Sequence, residues 1–243
     1  MSGDAGAVGR DGERVGRATL DAFAEAPRYN DALYRLFEPA LGRCVLEVGA
    51  GIGTFTGRLA ARGQVIAADI DDGHLDHLRR RFAGDARVQV RRLDLDDVPV
   101  AELALLAIDT VFCSNVLEHV EDDRGALVRL RQVTASGGAL LLLVPAHEAL
   151  YGTLDLHLDH FRRYERAPLR RLLEATGWIV ESMRFFNVLG ALGWLVNGRV
   201  LRKRHVPADQ LRAYDRLLAP LLRLETYVRL PFGCSLAVIA RRG

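Results

Sequence analysis

The chain has 243 residues, 49% hydrophobic and 26% charged, and its Lys+Arg exceed Asp+Glu by 33 to 31 for a formal net charge of +2. A chain of this length buries roughly 70–75% of its unfolded surface as one large domain, or as a core with an insertion, and needs no staples. The balance argues against a disordered or fibrous protein and, despite basic runs at Arg79–Arg81, Arg162–Arg163 and Arg202–Arg204, against a nucleic-acid-binding stripe.

The first residues (MSGDAGAVGRDGERVGR) are polar and glycine-rich and lack the apolar core of a secretory signal. Residues 1–18 are therefore read as a flexible tail ahead of one domain over 19–243. Cys44, Cys113 and Cys234 are far apart with no CxxC pairing, which suggests neither a disulfide framework nor a thiolate zinc site and fits a reducing cytoplasm. No apolar run reaches the length of a membrane span.

Pro27 to Phe37 places aromatic and polar residues on a short helix. From Cys44 to Val144 short apolar runs alternate with helical patterns, the signature of strand, crossover helix and parallel strand. Strands are expected at Cys44–Val48, Val65–Asp69, Val88–Arg92, Thr110–Ser114 and Ala139–Val144; their nearly continuous Val, Ile, Leu and Ala character suits burial on both faces. Between them Phe55 and Leu59, then Leu75, Leu78 and Phe82, fall at helical spacing. A polar, histidine-bearing segment follows at His147–Tyr164, then a helix near Ala167–Thr176 stopped by Gly177. Strands at Trp178–Phe186 and Ser235–Arg241 bracket a helical insertion, residues 187–231, in which Tyr214, Leu217, Leu218, Leu221, Leu224 and Val228 recur at steps of three and four.

The richest stretch is Val45-Leu46-Glu47-Val48-Gly49-Ala50-Gly51-Ile52-Gly53, an apolar strand running through glycines into a helix. Glycines allow a sharp turn and let a ligand lie against backbone, so a nucleoside is the natural occupant. A dinucleotide fingerprint would place its third glycine where Thr54 stands, and Glu47 would repel a pyrophosphate but attract a cation. S-adenosylmethionine carries both an ammonium and a sulfonium. Asp69 closes the second strand sixteen residues beyond Gly53, where a carboxylate can accept both ribose hydroxyls.

These runs resemble the motifs of class I S-adenosylmethionine-dependent methyltransferases of the small-molecule branch. VLEVGAGIG is similar to their first motif, with Glu47, Gly49, Ala50 and Gly51 at the cofactor. Asp69-Ile70 in VIAADI resembles the second-strand acid, and Asp94-Leu95 in RRLDLDD the pair bordering adenine. DTVFCSNVLEHV resembles the fourth-strand motif, with Asn115 bordering the methionine portion. The resemblance covers about Tyr29 to Gly177 and the closing strands. It implies a doubly wound, Rossmann-like α/β sheet of seven strands whose last, Ser235–Arg241, runs antiparallel, with the helical insertion before it. It also implies a helix carrying Tyr29 across the cofactor, and S-adenosylhomocysteine as product.

Methyl transfer needs collinear reacting atoms and, at a hydroxyl or amine, benefits from a base near neutral pKa. In an open parallel sheet the segment after strand five leaves at the ligand edge, so His147–Tyr164 is expected to face the acceptor. His160-Phe161-Arg162-Arg163-Tyr164 resembles an H-x-R-x-Y-like stretch of many small-molecule methyltransferases. His160, Tyr164 and His119 are therefore the catalytic candidates, and Tyr29, Tyr151, His157 and Arg163 the acceptor-side ones. His119 and Glu118 also have a plain reading, on the solvent face of a helix after strand four. No metal is expected, because His147, His157, His160 and Asp159 lack a recognised ligand spacing.

The insertion is expected to cap the acceptor, with a dimer face or peripheral membrane contact through Trp194 and Arg202–Arg204 as alternatives. The expected activity is transfer of a methyl group to an oxygen or nitrogen of a small molecule, a natural product or an envelope sugar or lipid intermediate, by a cytoplasmic monomer or homodimer. Two rivals stay open: a protein of the same fold that uses bound S-adenosylmethionine without methyl transfer, and a NAD-dependent oxidoreductase. A nucleic-acid methyltransferase is disfavoured because SNVLEH stands where amino-methylating DNA enzymes carry a proline- and aromatic-rich NPPY-like motif.

Overall fold

The structure is a computed structural model, described over residues 26–203, 208–217 and 219–243. The tail assigned to residues 1–18 lies outside the described residues, as do Arg204 and Leu218.

In chain order the elements are α1 (Pro27–Phe37), β1 (Cys44–Val48), α2 (Thr56–Ala60), β2 (Gln64–Asp69), α3 (Asp72–Arg81), β3 (Val88–Arg92), α4 (Val100–Leu103), β4 (Ile108–Ser114), α5 (Asp123–Val133), β5 (Thr134–Pro145), α6 (Thr153–His157), α7 (Arg166–Ala175), β6 (Trp178–Phe186), α8 (Val188–Trp194), α9 (Ala208–Leu217), α10 (Ala219–Glu225) and β7 (Ser235–Arg242). The seven strands form a single sheet in the order β3-β2-β1-β4-β5-β7-β6. β1 to β5 are parallel, and β7 runs antiparallel between β5 and β6. This is the doubly wound α/β layout that the motifs implied.

Side chains alternate across the sheet, as strand geometry requires. Leu46, Val48, Ile66 and Ala68 face a core completed by Leu127 and Leu130 of α5 and Leu169 and Leu173 of α7. Val45, Ala67, Phe112 and Leu141 face the opposite core, which α1 closes with Leu33 and Phe37, α2 with Leu59, and the insertion with Leu211 and Leu222. Both faces being covered explains why the central strands carry so few polar residues.

The insertion departs from the expected pattern. Leu217, Leu221, Leu224 and Val228 are exposed, whereas Leu211, Asp215, Leu222 and Glu225 are buried. The helix stripe therefore turns outward and two carboxylates turn inward. Asp215 accepts from the backbone N–H groups of Arg28 (3.0 Å) and Tyr29 (2.9 Å), satisfying the first turn of α1 from across the fold. Glu225 accepts from Asn187 N (2.6 Å) and Val188 N (3.2 Å), at the neck of the insertion. Among the described residues no helix is long and apolar enough to cross a membrane.

Candidate functional site

A cavity of about 1390 Å³ opens beyond the carboxyl ends of β1, β2 and β4, between the sheet, α1 and the insertion. It exceeds the roughly 300–1,000 Å³ of ordinary ligand pockets, so it has room for two ligands side by side.

One end is built by the glycine loop. Gly49, Gly51 and Gly53 all have positive φ (68°, 54° and 82°), which glycine adopts without strain. A Cβ on Gly49 would lie 2.3 Å from Val116 Cγ2, so this backbone approaches the β4 turn closer than any side chain permits. Gly51 N donates to Asp69 Oδ2 (2.7 Å), and Asp69 Oδ1 accepts from Asp71 N (3.0 Å) and His74 Nδ1 (3.3 Å). Burial pushes the Asp69 carboxyl upward, but these donors outweigh it and hold its pKa below the usual range. A carboxylate offers four lone-pair sites, so the ionised group keeps acceptor capacity toward the cavity it lines.

Ile70 beside it is 52% exposed on the cavity wall, an apolar face where a planar base could rest. Asp94 and Leu95 complete that corner, and Asn115, in the left-handed region at φ 53°, turns the chain out of β4 at its edge. Glu47 is buried, and burial pushes its pKa up to about 8 against the opposing hydrogen bond from Thr56 Oγ1 (2.6 Å). A buried carboxyl held out of its ionised range beside a cavity fits a site that receives a cation. The chemistry of these groups, a buried carboxyl, an ionised carboxylate, apolar walls and a close-lying glycine backbone, fits S-adenosylmethionine.

At the other end the turn Leu117–His119 meets the segment after β5. It is a 3-10 turn rather than a solvent-facing helix, and its two polar side chains differ in exposure. Glu118 is fully buried while His119 opens onto the cavity. Phe161 N donates to Glu118 O (2.8 Å), fixing His160 beside that turn. The His160 ring lies 4.7 Å from that of His119, its Nδ1 is 3.0 Å from Asp155 Oδ1, and its Nε2 is 3.9 Å from Glu118 Oε1.

Asp155 also accepts from Arg163 Nε (2.8 Å), Trp194 Nε1 (3.0 Å) and Gly152 N (3.0 Å). It is the hub that sets His160, Arg163 and the insertion's Trp194 in one wall. Burial raises its carboxyl pKa, but His160 and Arg163 more than offset this and keep it low. Burial and the neighbouring His160 push His119 down to about 4, and burial lifts Glu118 to about 7.

Of the acceptor-side and catalytic candidates, Tyr29, His119, His160 and Arg163 line the cavity. Tyr164 does not. Its buried hydroxyl approaches Leu117 O (3.3 Å) and Asp123 Oδ2 (3.1 Å), and burial and Asp123 raise its pKa, so it ties the segment to the sheet. Tyr151 donates to His160 O (2.7 Å) and the His157 ring engages Thr153 O (2.7 Å); neither reaches the lining, because both close turns within their own segment. His147 stacks between Phe185 and Phe232 at 4.8 and 4.4 Å, apart from His160. The residues that sequence reasoning missed are Glu118, placed at solvent but buried, and Asp215 and Glu225, hidden within an apparently apolar stripe.

The insertion supplies the remaining wall with Leu189, Leu192, Trp194, Val196, Leu211 and Tyr214. Where α8 gives way to a π-helical turn at Leu195–Val200, a local widening common at functional sites, Asn197 is drawn inward.

Comparison with known proteins agrees with this architecture. Residues 46–140 match the family model described as a methyltransferase domain. A demethylmenaquinone methyltransferase of Clavibacter sepedonicus is 36% identical over 119 residues, covering 46% of this chain and 47% of the relative. An uncharacterized methyltransferase of Mycobacterium bovis is 39% identical over 125 residues, covering 51% and 61%. The chain thus spans about half the length of these curated relatives. The solved structure of a Haemonchus contortus phosphoethanolamine N-methyltransferase in complex with S-adenosyl-L-methionine superimposes with a TM-score of 0.60 at 19% identity, over 88% of this chain and 52% of that one. Sequence over residues 46–140 is similar to the methyltransferase-domain family, and the topology of the whole sheet is the fold of class I S-adenosylmethionine-dependent methyltransferases.

Proposed function

We propose that the chain transfers the methyl group of S-adenosylmethionine to an oxygen or nitrogen of a small acceptor with an apolar body. The observation that carries this is the continuity of the cavity: the glycine loop with Glu47 and Asp69 lies at one end, and His119 and His160 lie under an apolar roof at the other. When bound, the cofactor supplies a methyl group on a positively charged sulfur. This chain's residues do the rest by position. Gly49 to Gly51, Asp69 and Glu47 hold the donor, Asn115 marks the boundary between donor and acceptor, and Leu189, Leu192 and Leu211 receive the acceptor's apolar part and exclude water.

His119, which opens onto the cavity, presents a ring nitrogen to the acceptor's proton; His160, oriented by Asp155, stands behind it as the group to which that proton can pass. Tyr29 and Arg163 border the acceptor. The insertion in this reading is the acceptor cap. A small molecule is favoured over a nucleic acid because the cap roofs the cavity with apolar side chains and the net charge is only +2.

The test is calorimetric titration with S-adenosylhomocysteine, alongside Asp69→Ala and NADH, followed by a screen for S-adenosylmethionine consumption with hydroxyl- and amine-bearing acceptors. Micromolar binding that Asp69→Ala abolishes and NADH does not share supports the donor site. Binding of NADH instead revives the oxidoreductase, and cofactor binding without consumption by any acceptor favours the non-methylating rival.

A further inference from the structure

We propose that Glu118, His119 and His160 form a site for one divalent transition-metal ion at the acceptor end of the cavity. Their ligand atoms all lie within 4.8 Å of one another, and all three residues border the cavity. Ligands about 2.1 Å from a tetrahedral zinc ion stand roughly 3.4 Å apart, so binding draws the three side chains inward.

The second observation is Glu118 itself. The side chain is fully buried, and neither carboxylate oxygen has a hydrogen-bond partner. A buried carboxylate without a donor is costly, and buried charges are ordinarily paired or bound to metal. His160 points the same way. Its Nδ1 lies 3.0 Å from Asp155 Oδ1, which also accepts from Arg163 Nε, and its Nε2 is turned toward Glu118 Oε1 at 3.9 Å. Those two atoms are too far apart for a hydrogen bond and suitably spaced for an ion. The carboxylate–histidine pair that fixes the tautomer is the usual second layer of a metal site. Arg163 donates directly to Asp155, whereas no donor reaches either oxygen of Glu118.

Two imidazoles and one carboxylate select Zn²⁺, Fe²⁺, Co²⁺ or Mn²⁺ over Mg²⁺ and leave coordination positions open. Those positions face the cavity; with the ion in place His119 and His160 serve as its ligands instead of as proton acceptors, and a hydroxyl oxygen of the acceptor would bind the ion and lose its proton to solvent more readily. The acceptor's placement rests on the methyltransferase reading; ion binding does not.

The experiment strips the full chain with chelator and titrates it with Zn²⁺ or Mg²⁺ by calorimetry and with Co²⁺ by visible absorption. Each preparation is also checked for thermal unfolding and S-adenosylhomocysteine binding. The expected result is one Zn²⁺ or Co²⁺ per chain. Glu118→Gln and His119→Asn should weaken it by about 100-fold or more, and Asp155→Asn by about 10- to 100-fold. No stoichiometric ion in a folded wild-type chain overturns the site, as does Zn²⁺ affinity unmoved by Glu118→Gln and His119→Asn. An ion bound by a chain that ignores S-adenosylhomocysteine would keep the site and sink the cofactor reading instead.

Discussion

Replacing Glu47 with Gln should separate the stability of the fold from the affinity of the donor site. Burial moves this carboxyl from an ordinary 4.5 to about 8 in the folded chain. A folded-state pKa above the unfolded one means that the native state retains a proton the unfolded state has lost. The stabilisation is complete below about pH 4.5 and disappears as the pH rises through about 8. At 1.36 kcal/mol per pH unit the full excursion amounts to about 5 kcal/mol, a ceiling that relaxation and water entry reduce. Gln keeps the shape and can still accept from Thr56 Oγ1, without the charge. Urea unfolding of both proteins at pH 5 and pH 8.5 should show near-equal stability at the lower pH and a more stable Glu47→Gln chain, by a few kcal/mol, at the higher. The same substitution should weaken S-adenosylhomocysteine by tenfold or more, roughly 1.4 kcal/mol. Binding to wild type near pH 7 should also release a proton as the ligand's ammonium ionises Glu47, seen as heats that vary with the buffer's ionisation enthalpy. A stability difference that does not change with pH, together with buffer-independent heats, would refute the reasoning.

Gly49→Ala combines a left-handed φ with a Cβ 2.3 Å from Val116 Cγ2, and should cost about 2–4 kcal/mol in urea unfolding while weakening S-adenosylhomocysteine. Tyr164→Phe removes a hydroxyl bonded to Leu117 O and Asp123, so it should cost about 1 kcal/mol and leave turnover within about threefold of wild type. A 100-fold loss of kcat would return Tyr164 to the catalytic set. Glu225→Ala strands the Asn187 and Val188 N–H groups at the insertion's neck; it should cost about 1–3 kcal/mol and raise the acceptor KM with donor affinity unchanged.

What the sequence made legible follows from how strongly each feature is encoded. β1, β3 and β6 occupy the expected spans: β1 because a strand covered on both faces leaves little room for a polar residue, and the edge strands β3 and β6 although polar residues such as Gln89, Arg91, Glu181 and Arg184 interrupt their apolar runs. β5 begins at Thr134, well before the expected Ala139, since Gly137 and Gly138 interrupt its apolar character without interrupting its pairing direction. The donor corner was readable because glycine and acid positions are fixed by backbone geometry over a short stretch. The acceptor corner was not. Glu118 sits in a 3-10 turn that has no periodic signature, and Asp155 gains its meaning from Trp194, thirty-nine residues away. Leu217, Leu221 and Leu224 repeat with helical period, yet they face outward. Periodicity reports that a helix has two faces, and only tertiary contact decides which one the core takes.

The neck of the insertion has a consequence for how this protein could diversify. Phe186 and Ser235 are paired neighbours on β6 and β7, and Cys234 N donates to Asn187 O (3.0 Å) just above them. The excursion between those strands thus leaves and re-enters the sheet at a single clasped point. The entropy of closing such a loop grows only with the logarithm of its length, so the cost of exchanging it lies in its contacts and not in chain closure. Any replacement would have to supply its own partners for the first turn of α1 and for the core that Leu211 and Leu222 close. A lineage built on this sheet can change its clientele by trading one module above a permanent hinge-pin.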